Sequence, residues 1–234
     1  MLRHRSISLA AIVFAALLPA MPAAAADFFL DEITCPIDGE VFTAIIGVNA
    51  ESAGQRLDTR RVGSAVDPIP LPICPTSGFV IYRRDFSESE LAKARELVAS
   101  SQFRGAQQHA NEYNTAAWIA ERLDESPLIV AHFYLEASWL EERDPVKNVR
   151  YLEMALGWYT IAGDQLAAGE EKWWQVQALR VELLRRLGRF AEAQALLTQL
   201  PANQLPTGHV LRKGLVQQAQ LLQRSDSQPR TAER

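Results

Sequence analysis

Two short turns hold the residues of this chain that are best suited to metal or redox chemistry. Cys35-Pro36-Ile37-Asp38-Gly39 and Cys74-Pro75-Thr76-Ser77-Gly78 both have the pattern Cys-Pro-x-x-Gly. Proline sets φ for a tight turn, and glycine accepts the positive φ that closes it. The form is that of a zinc-ribbon knuckle, in which a second cysteine normally precedes the glycine. Asp38 and Ser77 stand at those positions, so half of the expected thiolate ligands are missing.

The cysteine pair allows three chemistries. A metal site would use Cys35, Asp38, Cys74 and a histidine to hold zinc, although a serine hydroxyl is a weak substitute for a thiolate. A disulfide is favoured in an oxidising compartment, and it would close a loop of about 40 residues worth about 4 kcal/mol. Two free thiols are the third alternative. We expect the Cys35–Cys74 disulfide and no cofactor.

The compartment follows from the first 26 residues. Arg3 and Arg5 precede an apolar run, and Ala24-Ala25-Ala26 supplies the small residues that a signal peptidase requires. The apolar run, about 12 residues long, is too short to span a bilayer, which needs about 20. We therefore expect residues 1–26 to be a signal peptide, export to the periplasm or medium, and no membrane span after cleavage.

Composition excludes some partners. Cleavage before Asp27 removes two arginines and no acidic residue, which changes the formal charge from −4 to −6. An acidic protein without a basic patch is poorly suited to nucleic acid or anionic lipid. We expect the partner to be another envelope protein or a peptide.

The turns need strands to position them, and the rest of the chain has the pattern of helices. Residues 27–30, 41–46 and 79–82 are rich in strand-forming residues, and residues 47–72 have the composition of an irregular loop. The pattern predicts a fold that is α+β and mostly α: a small degenerate zinc-ribbon-like lobe (27–86), a helical lobe (87–224) and a disordered tail (225–234). The predicted helices span 87–100, 105–123, 127–142, 145–162, 170–187, 189–200 and 208–223.

One helical hairpin is the clearest local pattern. Leu187-Gly188-Arg189-Phe190-x-x-Ala193 has a glycine that ends one helix and a small residue that lets the next helix pack closely. This matches the centre of a tetratricopeptide repeat. An earlier hairpin, 127–162, has the same shape but an irregular offset, which predicts a compact helical lobe and no extended solenoid.

Several side chains have both a functional and a structural interpretation. Trp158, Tyr159, Trp173 and Trp174 crowd one stretch, and Arg180 interrupts the nearby apolar stripe. They could form a partner-binding groove, although core packing is the more common use of such aromatics. His132 is expected to be a core or boundary histidine and not a metal ligand, because no second histidine lies one turn away. Arg185 and Arg186 are expected on the solvated surface.

Catalytic motifs are absent from the sequence: there is no G-x-S-x-G, no H-E-x-x-H and no phosphate-binding glycine loop. A scaffold or peptide-binding module is therefore favoured over an enzyme. A metal-binding protein and an enzyme with an unrecognised site between the lobes are kept as alternatives.

The chain resembles a bacterial family, domain of unknown function 2225, which joins two Cys-Pro-x-Cys-Gly knuckles to a tetratricopeptide-like segment. The resemblance is carried by Thr34–Gly39, by Cys74–Phe79 with Asp85-Phe86, and by Leu183–Ala193, and it covers residues 34–201. It implies an architecture and supplies no reaction. The family's four cysteines imply a metal clip, of which this chain retains Cys35 and Cys74.

Overall fold

The computed structural model describes residues 27–49, 51–63, 67–108, 110–206 and 208–233, so the predicted signal peptide lies outside the described residues. The fold is α+β and mostly α. Two antiparallel hairpins come first, and helices follow to near the end of the chain. The strands are β1 (Asp27–Thr34), β2 (Val41–Asn49), β3 (Ser52–Gln55) and β4 (Arg61–Gly63). The helices are α1 (Glu88–Ala99), α2 (Ser101–Gln107), α3 (Glu112–Arg122), α4 (Pro127–Leu140), α5 (Pro145–Gln165), α6 (Glu171–Arg186), α7 (Phe190–Gln199) and α8 (Val210–Gln223).

The two Cys-Pro-x-x-Gly turns have the same backbone geometry. In each turn the cysteine N–H donates to the carbonyl five residues later, and the glycine N–H donates to the cysteine carbonyl. Gly39 and Gly78 have φ values of 79° and 69°, which an L side chain would strain. The Cys35–Cys74 disulfide joins the turns, with the two Cα atoms 5.5 Å apart, as expected from the sequence.

The disulfide lies in a hydrophobic cluster that extends beyond the predicted small lobe. Cys35 and Cys74 pack with Phe79 and Val80, and with residues of α1, α2 and α3 such as Phe103. The boundary expected near residue 86 therefore crosses one continuous cluster. A lobe this small buries too little apolar surface alone, and these helices supply the rest.

The main core is built around α4, which carries apolar side chains on more than one face. α4 packs between α3 and α5, and Val130, Ala131, Leu135 and Ala137 are fully buried. The predicted hairpin turn also forms, because Gly188 adopts a φ of 72° between α6 and α7. Among the described residues, no helix is both long and apolar enough to cross a membrane.

Three expectations were wrong in detail. The region 47–72 contains the β3–β4 hairpin, and 79–82 forms only an isolated bridge between Val80 and Ile73. The helix expected over 105–123 is two helices, the second of which begins after Asn111, whose side chain accepts from the N–H of Asn114.

The prediction that the tail is disordered is the one that differs most from the structure. Residues 225–233 run beside β3: the N–H of Leu57 donates to the carbonyl of Arg230, and the N–H of Ala232 donates to the carbonyl of Gln55. Arg185 on α6 donates to the carbonyl of Asp226. These long-range bonds give the tail a defined path that its polar composition does not predict.

Candidate functional site

A cavity of about 710 Å³ lies where the β3–β4 hairpin and the tail cover α4, α5, α6 and α8. We call it the inter-lobe cavity. Its walls are mostly apolar, and they include Leu57 from the hairpin, Leu128 from α4, Leu179 from α6 and Leu211 from α8. A volume of this size is in the range of small-molecule sites, which usually combine apolar walls with a few polar groups.

A buried ion cluster holds the hairpin over the helices. Asp58, which is 0% exposed, accepts from Arg56 at 2.5 Å and from Arg186 on α6 at 2.5 Å. Arg56 and Arg60 both reach Glu142, which follows α4, at 2.6 and 2.8 Å. The expectation that Arg185 and Arg186 are solvated is therefore wrong. Arg186 anchors the cavity roof, and Arg185 pairs with buried Glu182 at 2.7 Å.

Acid–base groups from three segments converge inside the cavity. His132 and Glu136 are one turn apart on α4, with Nε2 of His132 3.6 Å from Oε1 of Glu136. The other ring nitrogen of His132 lies 3.4 Å from the hydroxyl of Tyr159 on α5. Asp67, beyond β4, lines the same cavity.

The cavity shifts the protonation of both α4 groups toward neutrality, although the side chain of His132 is 48% exposed and that of Glu136 only 16%. Desolvation, reinforced by the nearby negative charge of Asp67, raises the pKa of Glu136 to about 8. Desolvation also lowers the pKa of His132, although Asp67 acts in the opposite direction. At neutral pH the pair is therefore a protonated carboxyl group beside an uncharged imidazole.

Three residues that line the inter-lobe cavity carry a buried polar atom without a hydrogen-bond partner among the described residues. They are Nε1 of Trp139, Oε1 of Gln218 and Oγ1 of Thr59. Trp139 and Gln218 are more than nine-tenths buried. Buried polar groups are nearly always paired, because an unmade hydrogen bond costs about 1–3 kcal/mol. These three atoms are themselves closed to solvent, so the residues that carry them reach the cavity surface with other atoms.

The predicted aromatic groove does not form as a group. Tyr159 reaches the inter-lobe cavity, whereas Trp158 is only partly buried against the main core. Trp174 is buried and stacks edge-on against Trp173, with ring centroids 5.0 Å apart. Arg180 donates to Gln177 on its own helix. Four of the five residues therefore lie outside this cavity, in accordance with the core interpretation weighed from the sequence.

The alternative metal residues are brought together only in part. The sulfur atoms of Cys35 and Cys74 are bonded to each other and are not free to ligate. Asp38 accepts from the N–H of Glu40 inside its own turn. Ser77, at the position of a missing cysteine, lies 3.6 Å from the sulfur of Cys35. In the described part of the chain, no group of three or more His, Cys, Asp or Glu side chains is arranged to hold a metal ion.

Sequence reasoning missed most of this cavity. The spacing of His132 and Glu136 on one helical face was visible, but an exposed i, i+4 pair has the same spacing. Asp67, Trp139 and Gln218 come from segments distant in sequence and carry no shared motif. Comparisons with protein-family models, with curated proteins and with solved structures found no match for this chain.

Proposed function

We propose that this is an exported, non-catalytic peptide-binding protein, and that the inter-lobe cavity receives part of the bound peptide. The observation that carries the proposal is a largely apolar cavity of about 710 Å³ whose lining also holds the polar groups of His132 and Glu136. Peptide groups alternate donors and acceptors, and peptide side chains supply apolar surface. Export and the resemblance to the domain of unknown function 2225 family belong to the same proposal.

A plugged variant tests this use of the cavity. Gly214 lies on α8 and lines the cavity, and a Cβ added there meets only Leu57, at 3.8 Å. Gly214→Ala should fit, whereas Gly214→Phe should fill the space. Because glycine costs a helix roughly 1 kcal/mol relative to alanine, neither change should unfold α8.

The matched control is Gly157 on α5, where an added Cβ meets nothing within 4 Å. A random peptide library is selected on the immobilised protein, and enriched peptides are measured on each variant. The expected result is loss of binding on Gly214→Phe and retention on Gly214→Ala and Gly157→Phe. Equal binding on Gly214→Phe, or no enrichment at all, would overturn the proposal.

The convergence of His132, Glu136 and Tyr159 favours acid–base catalysis as a second candidate function. A protonated carboxyl group beside a neutral imidazole can donate one proton and accept another. A panel of chromogenic ester, amide and glycoside substrates tests it. Turnover should disappear in both Glu136→Gln and His132→Gln, and turnover that survives both changes excludes this site as its origin.

A further inference from the structure

Glu136 differs from the other charged residues in the interior of the inter-lobe cavity because the described residues give it no permanently charged partner, only the titratable His132. Its carboxyl group, 16% exposed, accepts no hydrogen bond from the described residues, and its nearest cation-forming neighbour is His132 at 3.6 Å. By contrast, Arg61 donates to Asp67 from both its backbone and its side chain.

The other charged groups that line the cavity are paired or exposed. Asp58 and Glu142 neutralise Arg56, and Glu171 lies 3.5 Å from His209. Lys172 stands exposed at the entrance. Within the described part of the chain, the interior therefore has a carboxyl group that lacks a permanent cation and no unpaired Lys or Arg, so a ligand's positive group would gain a partner there.

We propose that the inter-lobe cavity binds an organic ammonium ion with an apolar body, and that its ammonium group pairs with Glu136. The proposal rests on the proposed use of this cavity for ligand binding and names the ligand's chemistry. A terminal peptide amine and a free alkylamine share this chemistry.

The rest of the cavity fits such a ligand. An ammonium group has three donors and no acceptor, which suits the acceptor oxygens of Glu136. Trp139 and Tyr159 add aromatic side chains to the same lining. Leu128 and Leu179 offer apolar surface to a hydrocarbon chain.

The pairing makes binding depend on pH in a defined direction. The groups that interact with Glu136 are His132 on its own helix, Tyr159 on α5, Tyr113 on α3 and Asp67 beyond β4. Arg61 of β4 and Lys172 of α6 line the same cavity. With a pKa of about 8, Glu136 is mostly protonated at pH 6 and mostly ionised at pH 9. An alkylammonium, like the lysine side chain, keeps its charge over this range. Since apparent affinity follows the ionised fraction of Glu136, binding should be roughly 90-fold tighter at pH 9 than at pH 6.

The probes are n-hexylamine, n-hexanol and hexanoate, titrated into the purified protein by calorimetry at pH 6 and pH 9. Hexylamine should bind with the stated pH dependence, and hexanol should bind more weakly and equally at both values. Glu136→Gln should lower the affinity for hexylamine at pH 9 at least tenfold and remove its pH dependence. The control Glu96→Gln, at an exposed position on α1 that does not line the cavity, should change the affinity less than twofold.

The outcomes separate the two proposals. If hexanol binds and hexylamine gains nothing at pH 9, the ammonium inference is wrong while the cavity still binds ligands. Tighter binding of hexanoate at pH 6 would also overturn the inference, because a protonated Glu136 would then be a donor to an anion. The titrations of the unmodified protein give this answer even if Glu136→Gln does not fold.

Two dipeptides, leucyl-alanine amide and its N-acetylated form, distinguish the sources of the amine. If the free dipeptide binds and the N-acetylated form does not, the site is assigned to peptide amino termini. Binding of hexylamine without either dipeptide would assign it to free amines. Equal binding of both dipeptides would refute recognition of the amine.

Discussion

The buried ion cluster of the β3–β4 hairpin supports a quantitative prediction. Asp58→Asn removes one negative charge and keeps the side-chain volume. It leaves Arg186, which is 3% exposed, with an ion pair to Glu142 at 3.6 Å and the nearby negative charge of Glu182. Arg56 keeps its bond to Glu142 at 2.6 Å. Breaking a buried pair from one side costs about 3–5 kcal/mol, and because Glu142 compensates in part we expect about 3 kcal/mol.

Removing the cation of the pair should lower the free energy of unfolding less than removing the carboxylate. Arg186→Met leaves Asp58 paired with Arg56 at 2.5 Å and replaces a buried cation by an apolar chain. The double variant removes both charges together, so its loss should be smaller than the sum of the single losses. Groups in one network couple by about 0.5–3 kcal/mol, and we expect a coupling of at least about 1.5 kcal/mol here.

Urea unfolding at pH 7, followed by circular dichroism, measures all three variants. The matched control is Asp124→Asn, the same chemical change at an exposed carboxylate that pairs with Lys93 at 2.9 Å. An exposed pair contributes at most about 1 kcal/mol. The reasoning is refuted if Asp58→Asn costs no more than Asp124→Asn, or if the losses of the single variants simply add.

Three further predictions concern stability. Reduction of the disulfide, which spans 39 residues, should lower the free energy of unfolding by about 4 kcal/mol. As a control, the stability of the Cys35→Ala/Cys74→Ala variant should not change with reductant. Two reactive thiols in the untreated protein would contradict the bond. Because the folded state holds the proton of Glu136 more tightly than the unfolded state, its contribution to stability is fully present below about pH 4.3 and is lost as pH rises through about 8. Glu136→Gln should therefore be more stable than the unmodified protein at pH 9. Thermal unfolding measures both proteins from pH 5 to pH 9, and a stability difference that does not increase with pH would contradict the raised pKa of Glu136. Ser87 caps α1 through the N–H of Glu90, so Ser87→Ala should cost about 1 kcal/mol in urea unfolding, and an unchanged midpoint would contradict that role.

Local patterns made most of the helices predictable. The capping box at Ser87, the prolines that begin α4 and α5, and Gly188 each act within a few residues of the feature that they define. The two cysteine turns were equally local, and the predicted disulfide followed from the pair of turns and the expected compartment.

The β3–β4 hairpin had no comparable signal. Ser52-Ala53-Gly54-Gln55 lacks the alternation of a strand, and the hairpin is held by Asp58 and by the tail more than 170 residues later. Arg186 shows the same limit. An arginine near a helix end usually lies in solvent, and its burial depends on a carboxylate from a distant turn.

The amino-acid sequence by itself determined most of the helical segments, where the two cysteine turns close and that the chain is mostly α, because caps, glycines and apolar periods act over a few residues. Only the tertiary structure decided that the tail is ordered and that Glu136, Trp139, Tyr159 and Gln218 line one cavity. Their proximity, and the desolvation that raises the pKa of Glu136, arise from contacts between segments far apart in the chain, which no local pattern records.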